Sequence, residues 1–364
     1  MTIDDIALTL HRGLGAISIA RLVDHFGSAS EVYAVGENAL VEAGVKRDIA
    51  RAITLRQTHQ MAEQEFATLQ KHAIGCTAVG DKEYPKMLFD IPDRPQVLYY
   101  MGCIECLNRH TLAVVGTRNA SSYGMIMTDK MVEYLAKRTP DATIVSGLAF
   151  GTDSNAHRAA LRYGMATAAV IPAVLPAIVP SEHSALAHDI IDKGGVVVSE
   201  FNSLCRPSRN SFVTRNRIIA GASEGTLVVE SKASGGSMST AEYTVGYNRT
   251  LLALPGRAND ITSAGTNRLI VNRMASAVCS GEDIVREMYW DASDAQIGIL
   301  DFDRAEPTST QQRVLNNMPT SDPVSIDTLC EKCGISKGEL ATLLIDMELD
   351  GIVRRHPGDC YVKV

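Results

Sequence analysis

Short runs of apolar residues alternate with helical stretches through the middle of the chain, from about residue 75 to residue 290. Each run is followed by a polar or glycine-bearing turn. Continuous apolar strands separated by helices are typical of a parallel sheet that is covered on both faces. The pattern therefore predicts an α/β fold with a doubly wound, Rossmann-like, mostly parallel sheet, whose ligands bind beyond the carboxyl ends of the strands. The predicted strands are LAVVG (112–116), ATIVSG (142–147), ATAAVIP (166–172), GVVVSE (195–200), GTLVVE (225–230) and LLALPG (251–256).

Residues 1–72 have apolar residues at helical spacing interrupted by glycines, which predicts a small N-terminal helical domain. In this segment Gly13, Leu14 and Gly15 resemble the turn of a helix-hairpin-helix in a SAM-like domain. Such a turn can offer backbone amides to a phosphate. A plain helix turn packed against its neighbour fits the same residues, so we do not count this turn as a site.

Residues 308–364 predict three helices followed by two short strands, which is a winged-helix pattern. The acidic, poorly periodic segment 291–307 is predicted to be a linker. Ser336 and Glu339 fit the start of the third helix, and Gly351 fits its end. That helix carries four carboxylates and no arginine, so it would repel phosphate. We expect this domain to contact protein or to close an interface.

The overall composition excludes a surface that is basic throughout. The chain has 364 residues, 45% of them apolar, and a formal net charge of −7, so any contact with nucleic acid must be local. No apolar run reaches the roughly 18 residues of a membrane span, and the first residues are acidic where a secretion signal is basic. We therefore expect a cytoplasmic protein with no membrane partner.

Eight cysteines in a reducing compartment predict free thiols. Two CxxC pairs, Cys103 with Cys106 and Cys330 with Cys333, lie far apart in the sequence, whereas a structural zinc site draws its ligands from one compact stretch. The second pair also fits the buried stripe of a short helix. We expect no metal site and no other cofactor.

The segment between Phe201 and Ser223 has no Asp or Glu but contains four arginines and an aromatic residue. Arginine binds phosphate oxygens through its planar guanidinium, and an aromatic ring can stack on an exposed base. This combination indicates nucleic-acid binding. A helix face whose arginines pair with carboxylates elsewhere in the chain fits the composition about equally well. The residues are Arg206, Arg209, Arg215 and Arg217, with Phe212 among them.

Three predicted strands end in turns of small residues that suit an anion. In the first of these turns an arginine adds a fixed cation, and we expect a phosphate to sit there, near the start of the next helix. The spacing does not match GxGxxG or a Walker loop, so a nicotinamide cofactor is disfavoured. The residues are Gly116, Thr117 and Arg118 after the first strand, Ser146 and Gly147 after the second, and Gly235, Gly236 and Ser237 after the fifth.

Asp153 and His157 stand one helical turn apart after the second strand. Their spacing fits an acid/base dyad, and it equally fits a helix cap with a packed histidine. The sequence offers no nucleophile or metal partner for a dyad, so we favour the packed histidine.

The motifs of the central part resemble, in order and spacing, those of the DNA-processing protein A family, also called DprA or Smf. The resemblance covers roughly residues 75–285, and the flanking domains fit the fuller members. It implies a Rossmann-like core that binds single-stranded DNA, protects incoming DNA and helps load the RecA recombinase in competence, natural transformation and DNA recombination. It also implies a homodimer formed through that core, without catalytic turnover. The motifs are VVGTR followed by YG, SGLAFGTDSNAH, the SE of GVVVSE, FVTRNRIIAG, VVESKASGGSMSTA, and LPGR followed by SAGTNRLI.

The resemblance implies roles for individual residues. Arg118 matches the motif arginine of the pocket, while Arg209 and Phe212 match a basic residue and an aromatic residue that engage the strand. The family's glycine-bearing turn and YP pair are replaced here by IPAVLPAIVP, with Pro172, Pro176 and Val179. We predict no catalytic residue. The predicted DNA-binding residues are Gly116, Thr117, Arg118, Ser146, Gly147, Arg209, Phe212, the RNR motif of Arg215, Asn216 and Arg217, and Gly235, Gly236 and Ser237.

An alternative is a Rossmann-fold nucleotide-binding enzyme of the lysine-decarboxylase-like type, which cleaves nucleoside monophosphates. Such enzymes share the sheet and a glycine-rich helix start. They resemble one another through a PGGxGTxxE segment, and the comparable place here is SGGSMSTAE. Glu242 is the carboxylate that could serve the chemistry.

Overall fold

The computed structural model of the protein describes residues 1–205, 209–290, 308–318, 323–349, 352–356 and 359–363. The chain forms two compact units, which divide between residues 291 and 292. The helices are α1 (Ile3–Thr9), α2 (Ala16–Phe26), α3 (Ala29–Ala34), α4 (Glu37–Glu42), α5 (Arg47–Thr54), α6 (His59–Lys71), α7 (Lys86–Phe89), α8 (Ser122–Arg138), α9 (Thr152–Arg162), α10 (Ser184–Asp192), α11 (Arg209–Gly221), α12 (Gly236–Gly246), α13 (Ala264–Val271), α14 (Gly281–Glu287), α15 (Ser309–Asn316), α16 (Ile326–Cys333) and α17 (Lys337–Leu349). The strands are β1 (Gly75–Ala78), β2 (Val97–Gly102), β3 (Thr111–Val115), β4 (Thr143–Ser146), β5 (Ala166–Val170), β6 (Val196–Ser199), β7 (Gly225–Val228), β8 (Thr250–Ala253), β9 (Ser276–Ala277), β10 (Val324–Ser325), β11 (Val353–His356) and β12 (Cys360–Lys363).

The described strands of the first unit form one nine-stranded sheet in the order β1-β2-β6-β5-β4-β3-β7-β8-β9. The strands from β6 to β9 in this order are parallel, while β1 pairs antiparallel with β2 and β2 with β6. The prediction of a mostly parallel sheet is confirmed, and each strand predicted from an apolar run is present. Strands β1 and β2 were not predicted. The residues of β1, GCTA, form no apolar run, whereas β2, VLYYMG, begins with an apolar run that was not recognised as a strand.

Helices cover both faces of this sheet. Successive residues of β3 alternate between two apolar clusters, with Leu112 and Val114 in one and Ala113 and Val115 in the other. Side chains of a strand point alternately to opposite faces, so a strand that is apolar at every position must be covered twice. This alternation explains why β3 has no polar side.

The order of the strands creates the place for a ligand. From β3 the chain moves to one side through β4, β5 and β6, and it then returns to the other side of β3 with β7, β8 and β9. The connections after β3 and β7 therefore diverge, which leaves a crevice outside the carboxyl ends of these two strands. Parallel sheets bind their ligands at such a switch point.

The N-terminal helices α1 to α6 share an apolar core with one end of the sheet. Ile6 and Leu8 of α1 belong to the same buried cluster as Val97 of β2 and Val197 of β6. Between α1 and α2 the backbone turns at Gly13, which has a φ of 85°, a value that favours glycine. No helix among the described residues has the length and apolar character needed to cross a lipid bilayer.

The second unit contains three helices, α15 to α17, and an antiparallel sheet in the order β10-β12-β11. This arrangement confirms the predicted winged-helix domain. Ser336 accepts a hydrogen bond from the amide of Glu339 (3.4 Å) and donates one to its carboxylate (2.8 Å), as the predicted helix start requires. Cys333 is buried in the apolar core and Cys330 packs against it, which confirms the buried stripe. Gly351 and the predicted linker 291–307 lie outside the described residues.

Candidate nucleic-acid interface

A pocket of about 680 Å³ lies at the switch point, between the turns that follow β3, β4 and β7 and the helix α11. A larger cavity, of about 820 Å³, lies among α1, α5 and residues 202–205. It contains none of the predicted DNA-binding residues, so volume alone does not select the site. The pocket at the switch point brings together Gly116, Thr117, Arg118, Phe212, Arg215, Asn216, Gly235, Gly236 and Ser237.

Arg118 and Phe212 form one surface at this pocket. The guanidinium carbon of Arg118 lies 5.5 Å from the centroid of the Phe212 ring. Arg118 is exposed and Phe212 is half-buried. Within the described parts of the chain, no carboxylate forms a salt bridge with Arg118, so its charge is available to a ligand. The pair offers a cation and an aromatic face at the same place.

The start of α12 adds a second feature that suits an anion. Gly235 is the N-cap of this helix, and no described side chain accepts a hydrogen bond from its first turn. The positive end of the helix dipole therefore stays open. Exposed Lys232 lies in the turn before it and lines the pocket. Lys232 was not among the predicted residues, although its place among the small residues of the turn after β7 could have indicated it.

Two other predicted residues of the pocket, Ser237 on α12 and Asn216 on α11, also stabilise the start of α12. The Ser237 hydroxyl is buried and donates a hydrogen bond to Ser231 Oγ (2.9 Å). The amide nitrogen of Asn216 donates to Ser239 Oγ (2.9 Å) and to the Gly236 carbonyl (3.3 Å). Asn216 therefore fixes α11 to the first turn of α12.

The start of α8 differs from the expectation, because it already holds an anion from the protein itself. Glu230 is 2% exposed, and its carboxylate accepts hydrogen bonds from the backbone amide (2.8 Å) and the hydroxyl (2.6 Å) of Ser121. The amide of Thr117 donates to the Glu230 carbonyl (2.8 Å). A carboxylate of the chain thus occupies the place predicted for a phosphate. The start of α12 is the better place for it.

Arg215 lies at the floor of the pocket and is buried. Its guanidinium donates a hydrogen bond to the Val170 carbonyl and packs so closely on Gly147 that a Cβ there would overlap Nη1. Burial lowers the pKa of Arg215 to about 10, and nearby Asp153 opposes that shift. Burial also raises the pKa of Asp153, against the effect of Arg215. The two charges compensate each other, so Arg215 shapes the floor of the pocket more than it charges it.

Ser146 and Gly147 act through this floor. Ser146 is fully buried and donates a hydrogen bond to the Val114 carbonyl (2.6 Å). Gly147 leaves the space that the Arg215 guanidinium fills. Both residues position the ends of the strands and do not reach the pocket surface.

The structure does not bring Arg217 into this pocket. Arg217 is 4% exposed, forms an ion pair with Glu200, and has Asp93 at 3.9 Å. Arg217 therefore fits the alternative interpretation of the arginine run, in which the arginines pair with carboxylates from elsewhere in the chain and do not bind nucleic acid. Arg206 and the side chain of Arg209 lie outside the described residues.

His157 is a packed histidine, as the sequence analysis favoured. It is fully buried, and its Nδ1 donates a hydrogen bond to Thr167 Oγ1 (2.7 Å), which in turn donates to the Ile144 carbonyl. Burial lowers the pKa of His157 to about 3, so the ring stays neutral at ordinary pH. Glu242, which the alternative enzyme would need, is exposed on α12 and is not among the described residues that line the pocket.

Comparison with known proteins finds matches to both units of the chain. Residues 75–289 match the family model for DNA recombination-mediator protein A, and residues 300–359 match the model for the DprA winged helix domain. Protein Smf of Escherichia coli is 34% identical over 286 residues, which cover 77% of this chain and 75% of that protein. DNA processing protein DprA of Streptococcus pneumoniae is 38% identical over 207 residues, which cover 57% of this chain and 72% of that protein.

Two solved structures are similar over most of their length. The X-ray structure of DNA processing protein A from Streptococcus pneumoniae has a TM-score of 0.67 and 30% identity, covering 79% of this chain and 98% of that one. DNA processing protein A from Helicobacter pylori, whose structure concerns its single-stranded DNA binding mode, has a TM-score of 0.53 and 28% identity, covering 59% of this chain and 96% of that one. Because the first family model matches more than half of the sequence, this chain belongs to the DNA recombination-mediator protein A family, also called DprA or Smf.

Proposed function

We propose that this protein binds single-stranded DNA in the pocket of Arg118 and Phe212 and holds it without chemical turnover. The observation that carries the proposal is the exposed Arg118 guanidinium over the Phe212 ring, beside the uncapped start of α12. Backbone phosphates would contact Arg118, Lys232 and the amides of α12, while a base would stack on Phe212. This combination is typical of proteins that bind single strands with little sequence preference. The single-stranded DNA binding of the Helicobacter pylori relative supports it.

Within the family, we propose that the protein protects incoming DNA and helps load the RecA recombinase during natural transformation and DNA recombination, in the cytoplasm. We further propose a homodimer formed through the Rossmann-like core. Exposed apolar side chains around α13, Ile261 (71% exposed) and Val271 (79% exposed), support a contact surface there. Light scattering at several protein concentrations would measure the mass, and a monomer at all of them would contradict the dimer.

We propose that the protein does not catalyse a reaction on the bound strand, because the carboxylates near the pocket are held by hydrogen bonds within the protein. Asp153 accepts a hydrogen bond from the Ala149 amide, and Glu230 is held by Ser121. A general acid or base must reach the bond that it acts on, and these groups are already engaged. Incubation with nucleoside monophosphates tests this directly, since release of free base would favour the alternative enzyme.

The binding test compares fluorescence anisotropy of labelled single strands and duplexes over a range of salt concentrations. Arg118→Ala should weaken binding to all sequences alike and reduce the salt slope by about 0.7 for each phosphate that the variant no longer neutralises. Phe212→Ala should cost about 1–3 kcal/mol if one base stacks on it. Arg109→Ala is the matched control, because Arg109 is also exposed but precedes β3 at the opposite edge of the sheet. Unchanged affinity of the Arg118 variant would end the proposal.

A further inference from the structure

Phe150 is an exposed aromatic residue in the turn between β4 and α9, where the sequence analysis assigned no binding role. Its side chain is 43% exposed, so one face of the ring is open to solvent. The turn holds it in a defined position. The ring centroid lies 4.6 Å from that of His183, with the rings inclined by 52°.

The surroundings of Phe150 are held by a hydrogen bond and by an enforced backbone conformation. His183 is buried, and its Nδ1 donates a hydrogen bond to the Leu148 carbonyl (2.7 Å). Leu148 and Gly151, on either side of Phe150 in the turn, have φ values of 58° and 77°. A non-glycine residue with positive φ persists where its surroundings enforce that conformation. An aromatic ring fixed in this way loses little conformational entropy when a partner stacks on it.

The turn that carries Phe150 touches the turn that carries Arg118. The amide of Thr152 donates a hydrogen bond to the Thr117 carbonyl (3.2 Å). Gly151 packs directly on the backbone of Thr117 and Arg118, where a Cβ would overlap both carbonyl oxygens. Ala149, the residue before Phe150, lines the pocket itself. The turn of Phe150 is therefore packed on the turn of Arg118, whose guanidinium lies over Phe212 of α11.

We propose that Phe150 is a second stacking platform for a base of the bound single strand. This inference rests on the proposed function. Adjacent strands of a sheet lie about 4.8 Å apart, and stacked nucleotides advance by about 3.4 Å. The step from the β3 turn to the β4 turn thus matches one or two nucleotides. A strand whose phosphate is held by Arg118 can place one base on Phe212 and a nearby base on Phe150.

The chemistry of Phe150 gives the proposal a distinct signature. A phenylalanine ring contacts bases and not phosphates, so its removal should lower affinity without changing the number of counterions released. Arg118→Ala, in contrast, should change both. We expect Phe150→Ala to weaken single-strand binding by about 5- to 150-fold, with an unchanged salt slope.

The experiment measures anisotropy titrations of the full chain with oligothymidine and with the same oligomer containing abasic positions. Phe150→Ala should weaken binding to oligothymidine, and the difference from the natural protein should shrink on the abasic oligomer. Phe89→Ala is the matched control, because Phe89 is similarly exposed (49%) but lies at the end of α7, between β1 and β2 in the chain and not in a turn next to Arg118. It should bind as the natural protein does.

A second variant, Phe150→Trp, gives a direct readout of stacking. The chain has a single tryptophan, Trp290, which is buried, so a new fluorescence signal would report on position 150. Quenching of that signal by oligothymidine is expected, and its absence would overturn the inference. If Phe150→Ala binds normally while Arg118→Ala and Phe212→Ala do not, the second platform fails and the proposed function stands. If none of the three variants weakens binding, the proposed function itself fails.

Discussion

Replacing Arg217 by methionine tests whether this arginine stabilises the fold or contacts DNA. Methionine keeps much of the aliphatic stem but removes the guanidinium that pairs with Glu200. The two side chains are only 5% and 15% exposed, so Glu200 would be left as a buried carboxylate without its partner. Breaking a buried ion pair in this way costs about 3–5 kcal/mol. We expect a loss of unfolding free energy at the lower end of that range, because water reaches part of Glu200.

The loss should depend on pH with a definite sign. Burial raises the pKa of Glu200, and Arg217 opposes that shift, so removing Arg217 raises this pKa further. A carboxyl group whose pKa is higher in the folded state than in the unfolded state binds its proton more tightly when folded. Its contribution to stability is complete below the unfolded-state pKa and is lost as the pH rises through the folded-state pKa. The methionine variant should therefore be closer to the natural protein at pH 5 than at pH 8.

Urea unfolding followed by circular dichroism measures both effects. The double variant Arg217→Met with Glu200→Gln should recover a large part of the loss, because no buried charge remains unpaired. At temperatures where it is folded, Arg217→Met should bind single-stranded DNA within about twofold of the natural protein, a free-energy difference of about 0.4 kcal/mol. A variant that is as stable as the natural protein but has lost DNA binding would refute this reasoning and would make Arg217 a contact residue.

Two further predictions concern the floor of the pocket and a buried histidine. Gly147→Ala would push a Cβ into the Arg215 guanidinium, and it should lower the free energy of unfolding by about 1–3 kcal/mol, seen as a lower melting temperature. Gly246→Ala is the control, because a Cβ at Gly246 meets only open space. Equal melting temperatures of the two variants would contradict the prediction. His157 has a pKa of about 3 when folded and about 6.5 when unfolded, so between these values stability should fall by about 1.4 kcal/mol per pH unit on acidification. His157→Gln should remove that contribution from a pH series of urea unfolding, whereas identical pH slopes would show that the histidine is not buried as described.

The sheet could be predicted from the sequence because its central strands are mostly apolar and carry no charged residue. Strands β3 to β8 each lie in a continuous apolar run that is too short for a buried helix and is bounded by turn residues. Strand β1 escaped prediction because its residues, GCTA, form no apolar run and do not differ clearly from a loop, whereas the apolar run of β2 was overlooked. Strands at the end of a sheet are specified by their partner, and the partner is not visible in the local sequence.

The candidate site could be predicted only in part, and the arginines show why. Arg215 and Arg217 are two positions apart on α11, so their side chains leave the helix in different directions. Arg215 lies under the pocket, whereas Arg217 reaches Glu200. Sequence analysis recognises the cluster of charges but not the direction of each side chain. Phe150 was missed for a related reason, since its exposure depends on the fold of the turn.

The sequence by itself determined the class of fold, the succession of strands β3 to β8 along the chain, the turns of small residues and the family, because each of these is written in local patterns or motifs. Tertiary structure alone decided which charges remain available to a ligand. Glu230 fills the start of α8 from 109 positions away along the chain, and Glu200 neutralises Arg217, while Arg118 is left exposed. A charge is cancelled by whatever lies within a few ångströms of it in space, and folding sets those neighbours without regard to their distance in sequence.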